Sequence, residues 1–388
     1  MKAYVVGGAV RDRLLGSVVN DRDWVVVGAT PEELLAAGYT PVGRDFPVFL
    51  HPTTHEQYAL ARTERKAGPG YHGFVFHAAP EVTLQQDLAR RDLTINAIAE
   101  DPDSGVLIDP FGGRRDIESG VLRHVSDAFA EDPVRLLRLA RFAARWPRFT
   151  VADETWALLK RLVASGEVDA LVSERIWQEL SRGLSELQPS RMFDVLRGSG
   201  ALARLAPALD AWLDDPLRRA ALMQVLDAAP ATPPAIRFAC LCHGLDQSGP
   251  GRASELPQIQ ALCDRWRVDT DNRALAMLVA REWLLLRDGD LGAQDCLALL
   301  EHADAWRRPA RTLMALQSWS CLAGMRPPSA RDALRRRCEQ VRRALHAAQA
   351  VHAASLPIAQ RADADGLAIG RALREARLQA ISQALAAL

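Results

Sequence analysis

Along the first 125 residues the apolar positions come in short β-branched or aromatic runs, broken by glycine, proline and polar turns. Ala3-Tyr4-Val5-Val6 leads into Gly7-Gly8 and a helix-like segment that ends at Gly16. Trp24-Val25-Val26-Val27 predicts a second strand. Thr30-Pro31-Glu32-Glu33 reads as a capping box with proline at the first helical position, and Gly38 stops that helix. Further strands are expected over 44–50 and 58–61, and a helix start at Thr83-Leu84-Gln85-Gln86. Between Thr63 and Gly73, Gly68-Pro69-Gly70 marks a loop expected to be mobile. Asp109-Pro110-Phe111-Gly112-Gly113 reads as a turn and a hinge.

Past residue 125 the strand signals vanish and the apolar spacing becomes helical. Helices are expected at 132–146, 153–164, 173–184 and 190–198, with Ser173 and Ser190 as caps and Gly166 and Gly198 as stops. From 201 onward the chain is rich in Ala, Leu and Arg at helical spacing, with candidate linkers at Pro230–Pro234 and Pro327-Pro328. The pattern is an α/β head followed by a long all-α extension.

Composition changes this picture little. A chain of 388 residues is expected to form two or three domains. Its net charge of zero decides nothing about nucleic acid, because patches matter more than totals. The basic residues are mostly arginine, which suits bidentate phosphate contacts. No apolar run reaches bilayer length and no signal peptide is expected before the first strand. Cys240, Cys242, Cys263, Cys296, Cys321 and Cys338 lack a zinc-like spacing and read as reduced core thiols of a cytosolic protein.

The chemistry lies in four places. Asp21 and Asp23 stand two apart at the head of a strand, so their side chains share a face and can share divalent metal ions. Gly7-Gly8 lets backbone come close to a phosphate, with Arg11 beside it. A phosphate cradle facing a metal dyad is what phosphoryl or nucleotidyl transfer requires. In Asp87-Leu88-Ala89-Arg90-Arg91-Asp92 the i,i+4 and i,i+5 spacings bring acids and arginines together; the competing reading is a salt-bridged surface. In Glu131-Asp132-Pro133-Val134-Arg135, Asp132 and Arg135 are expected on one helical face. One accepts and one donates, which matches the amine-beside-acceptor edge of cytosine and adenine but not of guanine or uracil. The competing reading is an acidic helix N-terminus.

Taken in this order, the four motifs resemble those of the class II CCA-adding enzymes (tRNA nucleotidyltransferases), in their proteobacterial branch. The resemblance is strongest over residues 1–200. It implies an α+β fold: a polymerase-beta-like nucleotidyltransferase head with a mixed sheet at 1–125, an all-α neck at 126–200 for base recognition and tRNA binding, and an all-α body and tail at 201–388. It implies that Asp21 and Asp23 hold Mg²⁺ and that Gly8 and Arg11 contact the triphosphate. Arg91 and Asp92 would lie by the ribose and phosphates, with Asp92 accepting the 2′-OH. Asp132 and Arg135 would template CTP and then ATP, and Arg138 and Arg141 would neutralise phosphates. The partners implied are tRNA, CTP and ATP, with no membrane and no obligate protein partner, in the cytoplasm. Poly(A) polymerase, or a CC-only or A-only enzyme, is the alternative.

Two departures stand out. Gln57, beside Glu56, occupies a strand start where relatives often carry an acid. Many relatives of this branch also carry a C-terminal metal phosphohydrolase domain with a His-Asp pair. Here the matching segment reads His243-Gly244, with Asp246 two residues further on. The second half is therefore expected to be a degenerate HD-type domain that grips tRNA and does no chemistry. The basic face of Arg335, Arg336, Arg337, Arg342 and Arg343 is either solvated or in contact with tRNA. Trp156, Trp177, Trp212, Trp266 and Trp283 are expected in the core, and His51, His55, His72 and His77 in loops.

Overall fold

The computed structural model describes residues 1–19, 21–42, 48–66, 74–246, 255–357 and 365–387. It divides into two compact units, Met1–Gly183 with Arg191–Leu205, and Leu184–Ser190 with Ala206–Leu388.

The first unit is built on a sheet. Its strands are β1 (Lys2–Val6), β2 (Asp23–Val27), β3 (Thr40–Val42), β4 (Val48–Leu50), β5 (Gln57–Leu60), a hairpin of β6 (Arg62–Lys66) and β7 (Phe74–Ala78), and the short β8 (Ala99–Glu100), β9 (Leu107–Ile108), β10 (Val121–Leu122) and β11 (Thr150–Val151). Seven of them form a sheet in the order β3-β4-β5-β2-β1-β8-β9. It is mixed: β2 runs parallel to β5 and antiparallel to β1. Alternation along β2 divides the core between the faces. Val25 packs with Val6, Leu88 and Ala97 on one side, and Val26 with Leu34, Phe49 and Tyr58 on the other. Asp23, two residues before Val25, shares the face that Leu88 covers.

The helices of this unit are α1 (Gly8–Leu14), α2 (Pro31–Ala36), α3 (Leu84–Ala89), α4 (Gly113–Ser119), α5 (Val134–Arg145), α6 (Asp153–Ala164), α7 (Ser173–Leu184), α8 (Ser190–Gly198) and α9 (Ala201–Leu205). Thr30 and Thr83 each close a full capping box, at the starts expected for α2 and α3.

Several local expectations change. Residues 44–47 and 67–73 of the expected strand and loop lie outside the described residues, and Thr63 belongs to strand β6. Strand structure does not end at 125, because β11 pairs in parallel with β10. The turn at 109–113 is no hinge of loosely packed glycines. Asp109 accepts from the N–H groups of Gly113 and Arg114, and a Cβ on Gly113 would stand 2.2 Å from the Thr94 carbonyl oxygen. Glycine is there because two backbones touch.

The second unit is helical among the described residues: α10 (Pro207–Trp212), α11 (Pro216–Ala228), α12 (Pro234–Cys242), α13 (Pro257–Trp266), α14 (Thr270–Asp288), α15 (Ala293–His302), α16 (Pro309–Leu322), α17 (Pro328–Gln349) and α18 (Gly366–Ala386). The proline clusters are helix starts and not linkers: Pro234 and Pro328 are the first residues of α12 and α17. Five of the cysteines are buried and Cys321 is partly exposed; burial pushes the Cys338 thiol up to about 11 and that of Cys263 to about 12. Trp177, Trp266 and Trp283 are buried, whereas Trp156 and Trp212 are only half-buried. Arg335, Arg336, Arg342 and Arg343 are exposed on α17, partly offset by Asp332 and Glu339, while Arg337 donates to the last carbonyls of α14.

Candidate active site

The register of β1 on β2 pairs Val6 with Asp23, so Asp23 stands beside the turn at Gly7-Gly8. Gly7 adopts φ +69°, and a Cβ there would lie 2.8 Å from Arg91 Nη1. The missing side chain thus admits the Arg91 guanidinium over the turn. Helix α1 has only seven residues, so its dipole is weak and guanidinium groups supply most of the attraction for anions.

Asp21 precedes β2 rather than lying within it, yet both carboxylates line one cleft of about 670 Å³. Asp23 is exposed to solvent within that cleft. Partial desolvation raises its carboxyl above the usual range; the Arg91 charge opposes the shift and the Asp21 charge adds to it. Two acids that repel each other in the free protein form a ready seat for a divalent cation. Gln57 pairs with Asp23 across β5 and is exposed, and Glu56 accepts from the Thr54 hydroxyl.

Arg11 is the most enclosed cation of the cleft, 6 % exposed. Its guanidinium stacks over Trp146 at 4.8 Å and Phe142 at 5.3 Å, and donates to Asp12 and to the Asn96 side-chain oxygen. Burial lowers its pKa and Asp12 partly restores it.

The acid–arginine motif at 87–92 is not a solvated surface. Asp87 is fully buried and accepts from Arg90 at 2.8 Å and Arg91 at 3.2 Å. Burial pushes its carboxyl up, but the two guanidiniums outweigh this and hold it below the usual range. Asp87 therefore fixes Arg90 and Arg91 from behind. Arg91 Nε remains buried without a hydrogen-bond partner. Asp92 accepts from Leu93 N and Asn96 Nδ2, both at 2.8 Å, and from Arg138 Nε at 2.8 Å. Burial opposes ionisation, yet the Arg138 charge and these bonds hold the carboxyl well below its ordinary value.

The expected shared helical face of Asp132 and Arg135 is corrected. Pro133 forces a helix boundary, and Asp132 sits outside α5 in extended backbone, φ −114° and ψ 101°. It accepts from Val134 N at 3.1 Å and from Arg175 at 3.4 Å, so the cap-like role is real. Arg135 donates to the Ala128 carbonyl at 2.8 Å. Both still line the cleft, as do Arg138 and Arg141, the latter bonded to Glu179 at 2.6 Å.

All ten expected residues thus line one cleft: Gly8, Arg11, Asp21, Asp23, Arg91, Asp92, Asp132, Arg135, Arg138 and Arg141. Among the described residues nine arginines and four aspartates line it, an excess suited to a polyphosphate. Sequence reasoning missed Asn96, Arg145, Arg175 and Arg182. Arg145 was readable, four residues after Arg141 on the same helix. So were Arg175 and Arg182, two turns apart on α7. Asn96 carries no sequence signal.

In the second unit His243 is buried, and its ring lies edge-on to Trp212 and Trp283. Its Nδ1 is 2.7 Å from the Cys240 carbonyl oxygen. A carbonyl only accepts, so Nδ1 carries the proton. Asp246 is not turned toward it: both its oxygens accept from α13, at Gln258 N and Ile259 N. Among the described residues no group of three or more His, Cys, Asp or Glu is placed to hold a metal.

Burial pushes His243 down to about 4, with Arg287 and Arg218 adding to the shift. Between that value and the ordinary 6.5, the unfolded chain binds more protons than the folded one. Stability is then present above the window and falls as pH falls through it. Wild type is expected to lose about 2 kcal/mol between pH 7 and pH 5 from this residue alone. Urea unfolding of wild type and His243→Phe at both pH values checks this; equal acid losses in the two would refute it.

Comparison with known proteins places the chain in context. Residues 3–123 match the model of the poly A polymerase head domain, and residues 148–213 that of the probable RNA and SrmB-binding site of polymerase A. The chain is 52 % identical over 406 residues to the multifunctional CCA protein of Leptothrix cholodnii, covering 98 % of this chain and 96 % of the relative. It is also 52 % identical to that of Verminephrobacter eiseniae over 415 residues, covering 100 % of both. Among solved structures it resembles the CCA-adding enzyme of Bacillus stearothermophilus in complex with CTP (TM-score 0.64, 24 % identity, 98 % of this chain and 88 % of that one). It resembles the Thermotoga maritima CCA-adding enzyme complexed with tRNA (TM-score 0.62, 20 % identity, 99 % and 91 %). The expected α+β architecture, a polymerase-beta-like head with a mixed sheet followed by helices, is borne out.

Proposed function

The chain belongs to the family of multifunctional CCA proteins, and from that premise we propose that it builds and repairs the 3′-terminal CCA of tRNA from CTP and ATP, without a nucleic-acid template. The observation that carries this reading is the cleft itself, where a carboxylate pair, a surplus of arginines and the Asp132–Arg135 pair meet.

Asp21 and Asp23 are the metal ligands in this reading, and the donor set suits Mg²⁺. Magnesium is held by one or two carboxylates and leaves its remaining positions to water and substrate phosphates. Bound there, it supplies Lewis acidity at the α-phosphate and acidifies the tRNA 3′-OH. Gly8 and Arg11 seat the triphosphate, Arg11 being held rigid by its two aromatic neighbours and by Asn96. Arg91, anchored by Asp87, faces the phosphates. Asp92 takes the ribose 2′-OH on lone pairs left over from its three donors. Arg138 and Arg141 offset negative charge as the 3′-OH attacks in line and pyrophosphate departs. The head at 1–125 does the chemistry, the neck at 126–200 reads the base, and 201–388 holds tRNA without hydrolytic activity. No helix among the described residues is long and apolar enough to cross a membrane. The reading places the reaction in the cytoplasm, where tRNA is its substrate.

The deciding assay is incubation with tRNA lacking its 3′ end and each labelled NTP. Incorporation of CTP and ATP that stops after three residues supports the reading. Unlimited ATP addition would make the chain a poly(A) polymerase, and addition of C alone or A alone would make it a partial enzyme.

Base choice gives a second expected outcome. Asp132→Ala and Arg135→Ala each remove one partner of the incoming base, and an unpaired buried group is what penalises the wrong one. Misincorporation of UTP or GTP relative to CTP is expected to rise about 10- to 100-fold, more than turnover falls. Asp132→Ala also loses the contact to Val134 N, so its melting point should drop slightly. Unchanged selectivity in both variants would remove the base-reading role.

A further inference from the structure

The second unit contains a cavity of about 290 Å³ that the proposed reaction does not use. It is lined by Trp212, Trp283 and His243 and by three arginines, Arg218, Arg287 and Arg326. No acid is in its lining. The cations are not fully offset from outside. Arg287 and Arg326 both lean on one carboxylate, Asp288, the second at 3.4 Å. Arg326 Nε is buried with no hydrogen-bond partner. Arg218 donates to the Trp212 carbonyl at 2.8 Å and reaches Asp215 only at 3.5 Å. Guanidinium groups gathered around a cavity with unused donors call for an anion, and their planar fork matches phosphate oxygens.

The remaining wall selects what the anion is attached to. With Nδ1–H committed to Cys240, His243 offers Nε2 as an acceptor, able to take a hydroxyl or amino hydrogen. Trp212 is half-buried and brings an indole surface to the cavity. The same indole explains Gly244. A Cβ on that residue would stand 2.3 Å from Trp212 Cζ2, so the position after His243 has no room for a side chain that could bind a metal.

We propose that this cavity is a metal-independent binding site for a small phosphate ester, with its phosphate on Arg287 and Arg326 and its organic part against Trp212, held without being hydrolysed. The inference does not depend on nucleotide addition by the first unit.

The test is isothermal titration of the full chain, in EDTA, with AMP, ribose 5-phosphate and inorganic phosphate. Wild type is expected to bind all three, and AMP most tightly. Arg287→Gln and Arg326→Gln should weaken each by at least about tenfold. AMP held by the first unit would persist in these variants as a separate class of site. Arg326→Lys, which keeps the charge but not the planar fork, should bind more tightly than Arg326→Gln and less tightly than wild type, and guards against a fold effect of the glutamine. Trp212→Leu should weaken AMP but not inorganic phosphate. AMP should be recovered intact from wild type and from both glutamine variants. Identical isotherms in wild type and both glutamine variants would overturn the site. So would binding that appears only on adding a divalent metal, or AMP hydrolysis that is lost in His243→Ala.

Discussion

Asp23→Ala is expected to lower nucleotide addition at least about a thousandfold, because loss of a metal-binding carboxylate removes several kcal/mol of transition-state stabilisation. Its stability should hold or rise. The Asp23 carboxyl stays exposed, yet partial desolvation and, to a lesser degree, the Asp21 charge raise it against the opposing Arg91 charge, so the effect on the fold is small. An acid whose folded pKa lies above its unfolded one is a net cost to the fold at neutral pH. Alanine removes that cost along with the function. Asp92 is the opposite case: its depressed pKa means that the ionised form supports the fold, a contribution lost as pH falls below the usual carboxylate range. The two acids line the same cleft, yet mutation should separate them. Asp23→Ala should be inactive and at least as stable as wild type, whereas Asp92→Ala should melt lower. The measurements are single-turnover addition of CMP to truncated tRNA with Mg²⁺, and a thermal melt of each variant. Turnover near wild type in Asp23→Ala would remove the metal assignment.

What could be read from the sequence divides along physical lines. Contacts set by a local period were legible. The Thr30 and Thr83 capping boxes depend only on a few neighbouring dihedrals. The starts of α6, α7 and α8 followed from the helical apolar period in the same way. Asp132 was misplaced because its spacing from Arg135 fits a helix, while Pro133 between them makes a boundary that spacing alone does not weigh. Pro234 and Pro328 looked like linkers because proline marks both a break and a first helical residue, and only packing tells which. Gly113 read as freedom and is in fact crowding against Thr94. Long-range polar links were the least legible. Asn96 is 85 residues from Arg11 in the chain, and no pattern in either segment announces that they meet.

Asn96→Ala should be the most damaging substitution outside the expected site residues. The Asn96 side chain is 5 % exposed and joins two charges. Its oxygen accepts from Arg11 and its Nδ2 donates to Asp92 at 2.8 Å. The orientation of the amide is fixed by chemistry, since arginine can only donate and a carboxylate can only accept. Alanine leaves both charged groups short of a partner, and hydrogen bonds to charged groups are worth about 1.5–3 kcal/mol each. The first unit should lose about 3 kcal/mol, and kcat/KM for CTP and ATP should fall about a hundredfold as Arg11 and Asp92 lose their shared support. Asn96→Asp separates positioning from bulk. It keeps an acceptor for Arg11 but sets a second carboxylate against Asp92. Two acids that close cannot both ionise without penalty, so one of them should take up a proton as pH falls and restore a donor. Activity of Asn96→Asp relative to wild type should therefore rise toward acid pH, while that of Asn96→Ala should stay low throughout. Parallel pH profiles in the two variants would show that Asn96 only fills space.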